Sequence, residues 1–178
     1  MTYIFRYISP LGGITIAHNG TGLTGLWFDG QKYYGSTLDV PLDQCEDLTG
    51  NPDSLFLATA KWLDVYFEGI EPDFTPPLSL DSSYATDFRR EVWDILLQTP
   101  YGHTITYGEI AKRIASKRGI ATLSAQAVGG AVGHNPVSII IPCHRVIGQN
   151  GSLTGYAGGL DRKIGLLAME KADISKHI

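Results

Sequence analysis

The segment TYGEIAKRIASKRGIATLSAQAVGGAVGHN, residues 106 to 135, decides the fold that we predict for the second half of this chain. Thr106 and Glu109 have the spacing of a capping box, which marks the start of a helix. A glycine-containing break follows at residues 117 to 120, and Ser124 is a plausible N-cap for a second, short helix. Two short helices with a tight connection form a helix-turn-helix.

The second helix of this pair consists almost entirely of small residues. Ala125, Ala127, Gly130 and Ala131 give it little side-chain bulk, so it can approach another surface closely. That surface is either a neighbouring helix or an external partner. A helix that reads bases in the major groove would present Arg, Asn or Gln at several positions, and only Gln126 qualifies here.

Upstream of the helix pair, the chain has a different character. It opens with short β-branched or aromatic segments separated by turn residues, which predicts an antiparallel meander. Residues 54 to 68 place apolar and aromatic side chains on one helical face, and the proline-rich residues 71 to 83 indicate a linker. We therefore predict an α+β fold, with an N-terminal α/β domain over residues 1–80 and a mainly helical domain over residues 81–178.

Composition and charge limit the possible functions. With 178 residues and 43% apolar content, the chain can bury a core of its own. The net charge of -4 is unevenly distributed: residues 1 to 83 carry three basic and eleven acidic side chains, and residues 84 to 178 carry eleven basic and seven acidic ones. The second half is therefore suited to phosphates, although such an excess is also typical of an ordinary solvated surface.

The chain has two cysteines, Cys45 and Cys143, far apart in sequence. Neither has a second Cys or a close Cys/His pair at the spacing of a zinc site, and we predict no metal and no cofactor. No apolar run approaches the roughly 20 residues that span a membrane, and the start of the chain does not resemble a signal peptide. These features predict a reduced, soluble, cytoplasmic protein that does not bind membranes.

The stretch NPVSIIIPCHRV, residues 135 to 146, ends an apolar run at a cysteine. Its three isoleucines predict a buried strand, and its second proline predicts a turn. A free cysteine at such a place is usually a buried, inert hydrophobe. His144 and Arg145 would instead favour the nucleophilic thiolate, provided that the chain turns or that a water links Cys143 to His144.

The motif PCHRV, preceded by Asn-Pro and followed by Gly-Tyr-x-Gly-Gly, is a highly specific combination. Over residues 84 to 171 the chain resembles the O6-alkylguanine-DNA alkyltransferases, also called methylated-DNA–protein-cysteine methyltransferases. The resemblance implies direct, irreversible, single-turnover transfer of an alkyl group from O6-alkylguanine, or from O4-alkylthymine, in DNA to Cys143. It also implies a ribonuclease H-like N-terminal domain and a winged-helix-like helix-turn-helix in the C-terminal domain.

The resemblance assigns four catalytic residues. Cys143 would accept the alkyl group, and His144 would act through a water as the base that takes the thiol proton. Glu170 would orient the imidazole, and Tyr107 would donate to N3 of the guanine. Without the resemblance, Glu170 is interpreted as an ordinary exposed helix carboxylate and Tyr107 as a half-buried aromatic.

The resemblance also assigns a substrate pocket. Some of its residues would line the alkyl group or accept a hydrogen bond from the exocyclic amine of the guanine. Others would hold the loop that closes the pocket, or connect the second helix to the segment that contains the cysteine. From the residues alone, Asn-Pro is equally a turn former and Tyr156 a half-buried aromatic. The seven pocket residues are Asn135, Val146, Leu153, Tyr156, Ala157, Gly158 and Lys163.

The implied partner is double-stranded DNA, bound by a monomer in the minor groove without sequence specificity. A thiol cannot reach an O6 atom in line inside a duplex, so the target nucleotide must flip out. The small second helix suits a narrow groove. The resemblance places DNA contacts at Thr106, Ser124, Ala125, Gln126, Ala127, Gly130 and Ala131.

The chain departs from the family pattern at three places. Gln126 stands where many members have an arginine that fills the gap left by the flipped base, and Ala157 stands where some have a serine. The stretch SKRGIA lengthens the connection between the two helices, and its Lys117 and Arg118 are candidates for phosphate contacts.

Two other function classes are open from the residues alone. A cysteine hydrolase would also use a Cys, a His and an acid, but it would turn over repeatedly and need an oxyanion hole. A non-enzymatic regulator would need a base-reading helix and usually a dimer. The small second helix argues against the regulator, and the resemblance argues against the hydrolase.

Overall fold

The computed structural model of the protein describes residues 1–81 and 83–174. The chain forms two compact units, one of Met1–Tyr84 together with Pro136–Ser138, the other of Ala85–Asn135 together with the chain from Ile139 onward. The limits that we predicted, residues 1–80 and 81–178, do not include this return of Pro136–Ser138, and they stay a prediction.

The first unit contains a four-stranded sheet in the order β3-β2-β1-β4. The predicted antiparallel meander is present, and a short fourth strand pairs with β1 in parallel, so the sheet is mixed. Single bridges to Leu78 and Val137 add to the free edge of β3. The strands are β1 (Tyr3–Ser9), β2 (Gly12–His18), β3 (Leu23–Phe28) and β4 (Glu46–Asp47).

The helix α1 (Ser54–Phe67) packs against β1 of this sheet. It buries Phe56, Trp62, Leu63 and Tyr66, and so has the apolar face that its sequence predicts. Its N-terminal amides are capped, since the Asp53 carboxylate accepts hydrogen bonds from two of them at 3.0 Å.

The second unit is mainly helical, which confirms the α+β class. The helices α3 and α4 form the predicted helix-turn-helix, α2 packs against both, and β5 and β6 make one short parallel pair. No helix in residues 1–81 and 83–174 has both the length and the hydropathy needed to cross a membrane. The elements are α2 (Asp87–Leu97), β5 (Ile105–Thr106), α3 (Tyr107–Arg118), α4 (Ala125–Gly133), β6 (Val146–Ile147) and α5 (Leu160–Met169).

Local hydrogen bonds fix the limits of α3 and α4. Thr106 and Glu109 form the predicted capping box, and the Ser124 hydroxyl accepts from the amides of the first turn of α4. α3 ends at Gly119, whose φ of 66° lies in the left-handed region that a helix C-terminus often requires. The sequence predicted these limits because each one depends on residues a few positions apart.

The predicted strand at the isoleucine run is wrong. Val137 makes a single bridge to Leu26, and the chain then turns at Ile139, whose φ is 70°. All three side chains, Ile139 to Ile141, are nevertheless buried. A short apolar run predicts burial but does not distinguish a strand from a buried turn, and a left-handed β-branched residue is rare enough to escape prediction.

A buried histidine links β2 to the start of α1. His18 is fully buried, accepts a hydrogen bond at Nδ1 from the Gly20 amide at 2.9 Å, and packs on the ring of Phe56. Its Nε2 lies 2.9 Å from Oδ2 of Asp53, the carboxylate that caps α1. Burial lowers the pKa of His18, so the ring is held neutral and Asp53 supports both the cap and the histidine.

We expect Asp53→Ala to lower the free energy of unfolding by about 2 kcal/mol, about 1 from the lost cap and about 1 from a buried His18 nitrogen without a partner. Asp53→Ser should keep the cap and lose about 1 kcal/mol only. Urea denaturation of both variants measures this difference. Equal losses in the two variants would contradict a separate contribution from the cap.

Candidate active site

Cys143 begins a 3₁₀ turn, Cys143–Arg145, directly after Pro142. The sequence predicted a turn here. In a turn the side chains of Cys143 and His144 need not point to opposite sides, as neighbouring side chains do in an extended strand. The Cys143 side chain is buried, with 4% of its surface exposed. Burial raises the pKa of the Cys143 thiol, although the Asn135 amide and the Lys163 ammonium oppose this rise, so the resting group is a thiol that needs a base.

Asn135, the residue that follows α4 and its C-cap, holds the segment that carries the cysteine. Its side-chain amide donates to the Ile141 carbonyl at 2.7 Å and to Sγ of Cys143 at 3.0 Å. The side chain is buried, so both contacts are shielded from water. The end of α4 and the cysteine are therefore connected by one side chain.

His144 and Glu170 form a buried pair. Nε2 of His144 lies 2.6 Å from Oε1 of Glu170, and both side chains are fully buried. Burial lowers the pKa of His144, and the nearby carboxylate only partly opposes this effect. The ring is therefore neutral. A neutral ring that donates from Nε2 to Glu170 has Nδ1 as its basic nitrogen.

Glu170 is buried, and is not the exposed helix carboxylate that its sequence context alone indicated. Its carboxylate also accepts two hydrogen bonds from Arg145, at 2.9 and 3.0 Å, and one from the Gly102 amide at 3.1 Å. Burial alone would raise the pKa of Glu170, but His144 and Arg145 together lower it to about 2. The carboxylate therefore stays charged at every physiological pH.

Arg145 belongs to the charged network around Glu170, a position that the sequence did not reveal. We expected its guanidinium to favour a thiolate at Cys143, but it lies against Glu170 and donates to the Thr99 carbonyl at 2.6 Å. The fork of the guanidinium matches a carboxylate with two parallel bonds. The sequence did contain a signal for this contact. Arg145 lies in a largely apolar stretch around PCHRV, and a charge in such surroundings needs an acidic partner.

Lys163 and Tyr107 both hold the loop before α5. Nζ of Lys163 donates to the Val146 carbonyl at 2.5 Å and to the Thr154 carbonyl at 3.1 Å, and burial lowers the pKa of Lys163 to about 8. The Tyr107 hydroxyl donates to the Gly155 carbonyl at 3.3 Å. These bonds fasten the loop over the segment that contains the cysteine.

The other predicted pocket residues lie in that loop. Leu153 is buried, and Tyr156, Ala157 and Gly158 are half-buried. A Cβ atom at Gly158 would come within 2.6 Å of the Tyr156 ring, so a glycine is required for this packing. The ring of Tyr156 therefore packs closely against the backbone of its own loop at Gly158.

The predicted DNA-contact residues divide into two groups. Gln126, Ala127 and Gly130 lie on one exposed face of α4, next to the exposed Ala125, while the hydroxyls of Ser124 and Thr106 are used as caps. Ala131 does not belong to this face. It is 4% exposed and its carbonyl accepts from the Trp93 indole, because it packs in the core of the unit.

Two family models match the chain. Residues 87–172 match the 6-O-methylguanine DNA methyltransferase, DNA binding domain, and residues 2–80 match the ribonuclease-like domain of the same family.

Curated relatives agree with these matches. The chain is 43% identical over 164 residues to the methylated-DNA–protein-cysteine methyltransferase of Mycobacterium bovis, a match that covers 92% of this chain and 89% of the relative. It is 40% identical over 169 residues to the protein of the same name from Methanosarcina acetivorans, with 94% and 97% covered.

Solved structures agree as well. The O6-methylguanine methyltransferase of Mycobacterium tuberculosis has a TM-score of 0.79 and 42% identity, covering 96% of this chain and 93% of that one. A structure of the M. tuberculosis protein in complex with DNA has a TM-score of 0.79 and 38% identity, with 98% of each chain covered.

Replacing the two charged neighbours of His144 should move its pKa in opposite directions. Arg145→Met removes a cation that lowers the pKa of His144, so that pKa should rise; Glu170→Gln removes an anion that raises it, so that pKa should fall further. Each change should be about one pH unit or more, as contact between charges produces. NMR titration of the imidazole resonances measures both.

His18, which belongs to the first unit, is the internal control, and its titration should not change in either variant. Far-ultraviolet circular dichroism confirms that each variant is folded. A shift of His144 in the same direction in both variants would contradict the charge network described above.

Proposed function

This chain belongs to the 6-O-methylguanine DNA methyltransferase family, and on that premise we propose that Cys143 is the residue that accepts the alkyl group. The protein binds DNA and repairs it by direct transfer of an alkyl group to a cysteine, the activity of a methylated-DNA–protein-cysteine methyltransferase. One observation carries the assignment to Cys143: this buried thiol directly precedes a neutral histidine that is paired with a charged carboxylate.

The transfer is an in-line displacement. Sγ of Cys143 attacks the alkyl carbon, the S–C bond forms, and the bond between that carbon and O6 breaks. The thiol proton passes through a water to Nδ1 of His144, and the electron pair of the broken bond stays on the guanine. The Tyr107 hydroxyl, which has one proton and donates it to the Gly155 carbonyl when no base is bound, exchanges that bond for one to N3 and so stabilises the charge. The thioether has no route back to a thiol, so each molecule repairs one lesion.

The buried pair explains how a thiol with a raised pKa becomes a nucleophile. His144 is neutral and can accept a proton, and Glu170 stabilises the imidazolium that forms. Arg145 keeps Glu170 charged and fixes its orientation. Arg145 thus acts through Glu170 as a positioning residue.

The guanine pocket uses backbone groups that the side chains hold in place. The carbonyls of Cys143 and Val146 accept from the exocyclic amine, and the Val146 oxygen can do so because a carbonyl has a second lone pair beside the one used by Lys163. Leu153, Tyr156 and the backbone at Ala157 enclose the alkyl group. Ala157 brings no hydroxyl to O6, so recognition there depends on backbone amides.

The target base leaves the duplex before it reacts. The exposed face of α4 has no bulky side chain apart from Gln126, which suits a narrow minor groove and binding without sequence specificity. Extrusion costs a few kcal/mol of pairing and stacking. Gln126 fills the resulting gap and hydrogen-bonds the unpaired base.

The protein acts as a monomer in the cytoplasm. A single chain carries both the predicted DNA-binding face and the acceptor cysteine, so a dimer is not required for the reaction. A thiol acceptor requires a reducing compartment, and both cysteines are free.

Intact-mass measurement tests the acceptor directly. After incubation with excess duplex that contains O6-methylguanine, the protein should gain one methyl group, which peptide mapping should place on Cys143. Cys143→Ser should gain none and should still bind DNA, whereas the matched variant Cys45→Ser should react like the wild type. Repeated turnover, or a methyl group on Cys45, would rule out the proposal.

Gln126 provides a test of base extrusion. Gln126→Ala should slow repair of duplex DNA about fivefold, equivalent to about 1 kcal/mol for the lost hydrogen bond to the unpaired base. It should not change the reaction with free O6-methylguanine, which needs no flipping. Single-turnover rates with the two substrates give the comparison, and Gln126→Arg should accelerate the duplex reaction only. Equal slowing on both substrates would assign Gln126 to the fold or the pocket.

A further inference from the structure

The helix that meets the minor groove carries no charge. From Ala125 to Gly133, α4 contains only alanine, valine, glycine and one glutamine. Phosphate neutralisation and the release of counterions supply most of the affinity of proteins for non-specific DNA. The cations that this binding requires must therefore come from another element, in a chain whose net charge is -4.

The exposed face of α3 supplies such cations. Lys112, Arg113 and Lys117 are all exposed and lie within two turns of one another, whereas Ile110 and Ile114 on the same helix are buried. Arg113 and Lys117 are four residues apart and are therefore neighbours on the helix surface, and Lys112 lies one position before Arg113 on the adjoining part of that surface.

The acidic groups near this face do not cancel its charge. Glu109, the one carboxylate on α3, is fixed at the helix N-terminus by hydrogen bonds from Thr106, and its charge interacts with that of Arg113. Arg118, which pairs with Glu91, is set aside, and three basic side chains then stand against one acidic side chain across α3, α4 and their connection. The face keeps a net positive charge.

Arg118 is not available in the same way, although its sequence position made it a candidate. Its guanidinium pairs with Glu91 at 2.9 Å and lies over the ring of Phe88. It therefore fastens the end of α3 to α2. The sequence had suggested both Lys117 and Arg118 as candidates for phosphate contacts. Because Arg118 contacts Glu91, only Lys117 remains a candidate.

A cleft of about 370 Å³ lies beside the basic face, between α3 and the connection to α4. Its wall is lined by Ala111, Ala115 and Leu123, and its polar lining includes Lys112 and Ser116. Lys112 is the one charged residue of that lining. A sugar with its phosphate matches this combination, because the apolar wall suits the deoxyribose and a lysine with a hydroxyl suits one phosphate group.

We infer that α3 supplies the phosphate contacts that α4 lacks: Lys112, Arg113 and Lys117 bind the DNA backbone, and the sugar–phosphate nearest Lys112 occupies the cleft. This inference rests on the proposed function, because it requires α4 to face the minor groove. In helix-turn-helix proteins that use the major groove, the first helix crosses the backbone. We infer the same relation for α3 with α4 in the minor groove, and this is the position that these cations need.

The salt dependence of binding to an unmodified duplex tests the inference. Each phosphate contact contributes about 0.9 to the slope of log K against log salt concentration, so the double variant Lys112→Gln/Lys117→Gln should have a slope smaller by about two. Glutamine keeps the helix propensity of lysine, so α3 should remain folded. Reaction with free O6-methylguanine should be unchanged, because no phosphate is involved.

The matched control is Lys32→Gln/Lys61→Gln, which removes the same two charges from exposed positions in the first unit and should leave the slope unchanged. Equal reductions in the two double variants would show a general charge effect and overturn the inference. Ser116→Leu, which keeps the charge but fills the cleft, should weaken duplex binding about tenfold; unchanged affinity would exclude the cleft as the phosphate site.

The outcome separates this inference from the proposed function. A wild-type protein that gains no methyl group on Cys143 would refute the proposed function. A protein that is methylated normally, but whose salt slope does not change in Lys112→Gln/Lys117→Gln, would refute the role of α3 alone.

Discussion

The buried carboxylate of Glu170 is the interaction on which the active site of the second unit depends. A carboxylate without a partner in the interior costs several kcal/mol, and here four hydrogen bonds compensate it. These bonds come from the 3₁₀ turn that contains His144 and Arg145 and from the loop at Gly102. The end of α5, the cysteine segment and the loop before β5 must therefore assemble together for any of the charges to be tolerated.

The same carboxylate links stability to chemistry. It fixes the tautomer of His144 by accepting from Nε2, which leaves Nδ1 as the basic nitrogen of the ring, and Arg145 keeps the carboxylate charged by a bidentate contact. A second buried amide, that of Asn135, connects the end of α4 to the cysteine through the Ile141 carbonyl and Sγ. A change in α4 can thus reach Cys143 through one side chain.

The helix-turn-helix separates two requirements that a single helix could not meet together. In the DNA complex that we propose, close approach to a groove needs small side chains, as on the exposed face of α4, whereas affinity for a polyanion needs long cationic ones, as on α3. Gly129 of α4 faces Tyr107 of α3, since a Cβ atom there would lie 3.8 Å from the ring. The small residues of α4 therefore serve both its outer face and its contact with the tyrosine.

The sequence by itself determined the elements whose signals are local. The capping box at Thr106 and Glu109, the cap at Ser124 and the stop at Gly119 depend on hydrogen bonds between residues at most a few positions apart. The specific PCHRV motif indicated the family, which the comparisons confirm. Only the tertiary structure decided how distant groups meet. Arg145 faces Glu170 from 25 positions away, Arg118 pairs with Glu91, Ala131 is buried rather than exposed, and the isoleucine run turns at Ile139 instead of forming a strand. These outcomes follow from the requirement that each buried charge and each apolar side chain find partners in a packed interior, and residues far apart in sequence supply those partners.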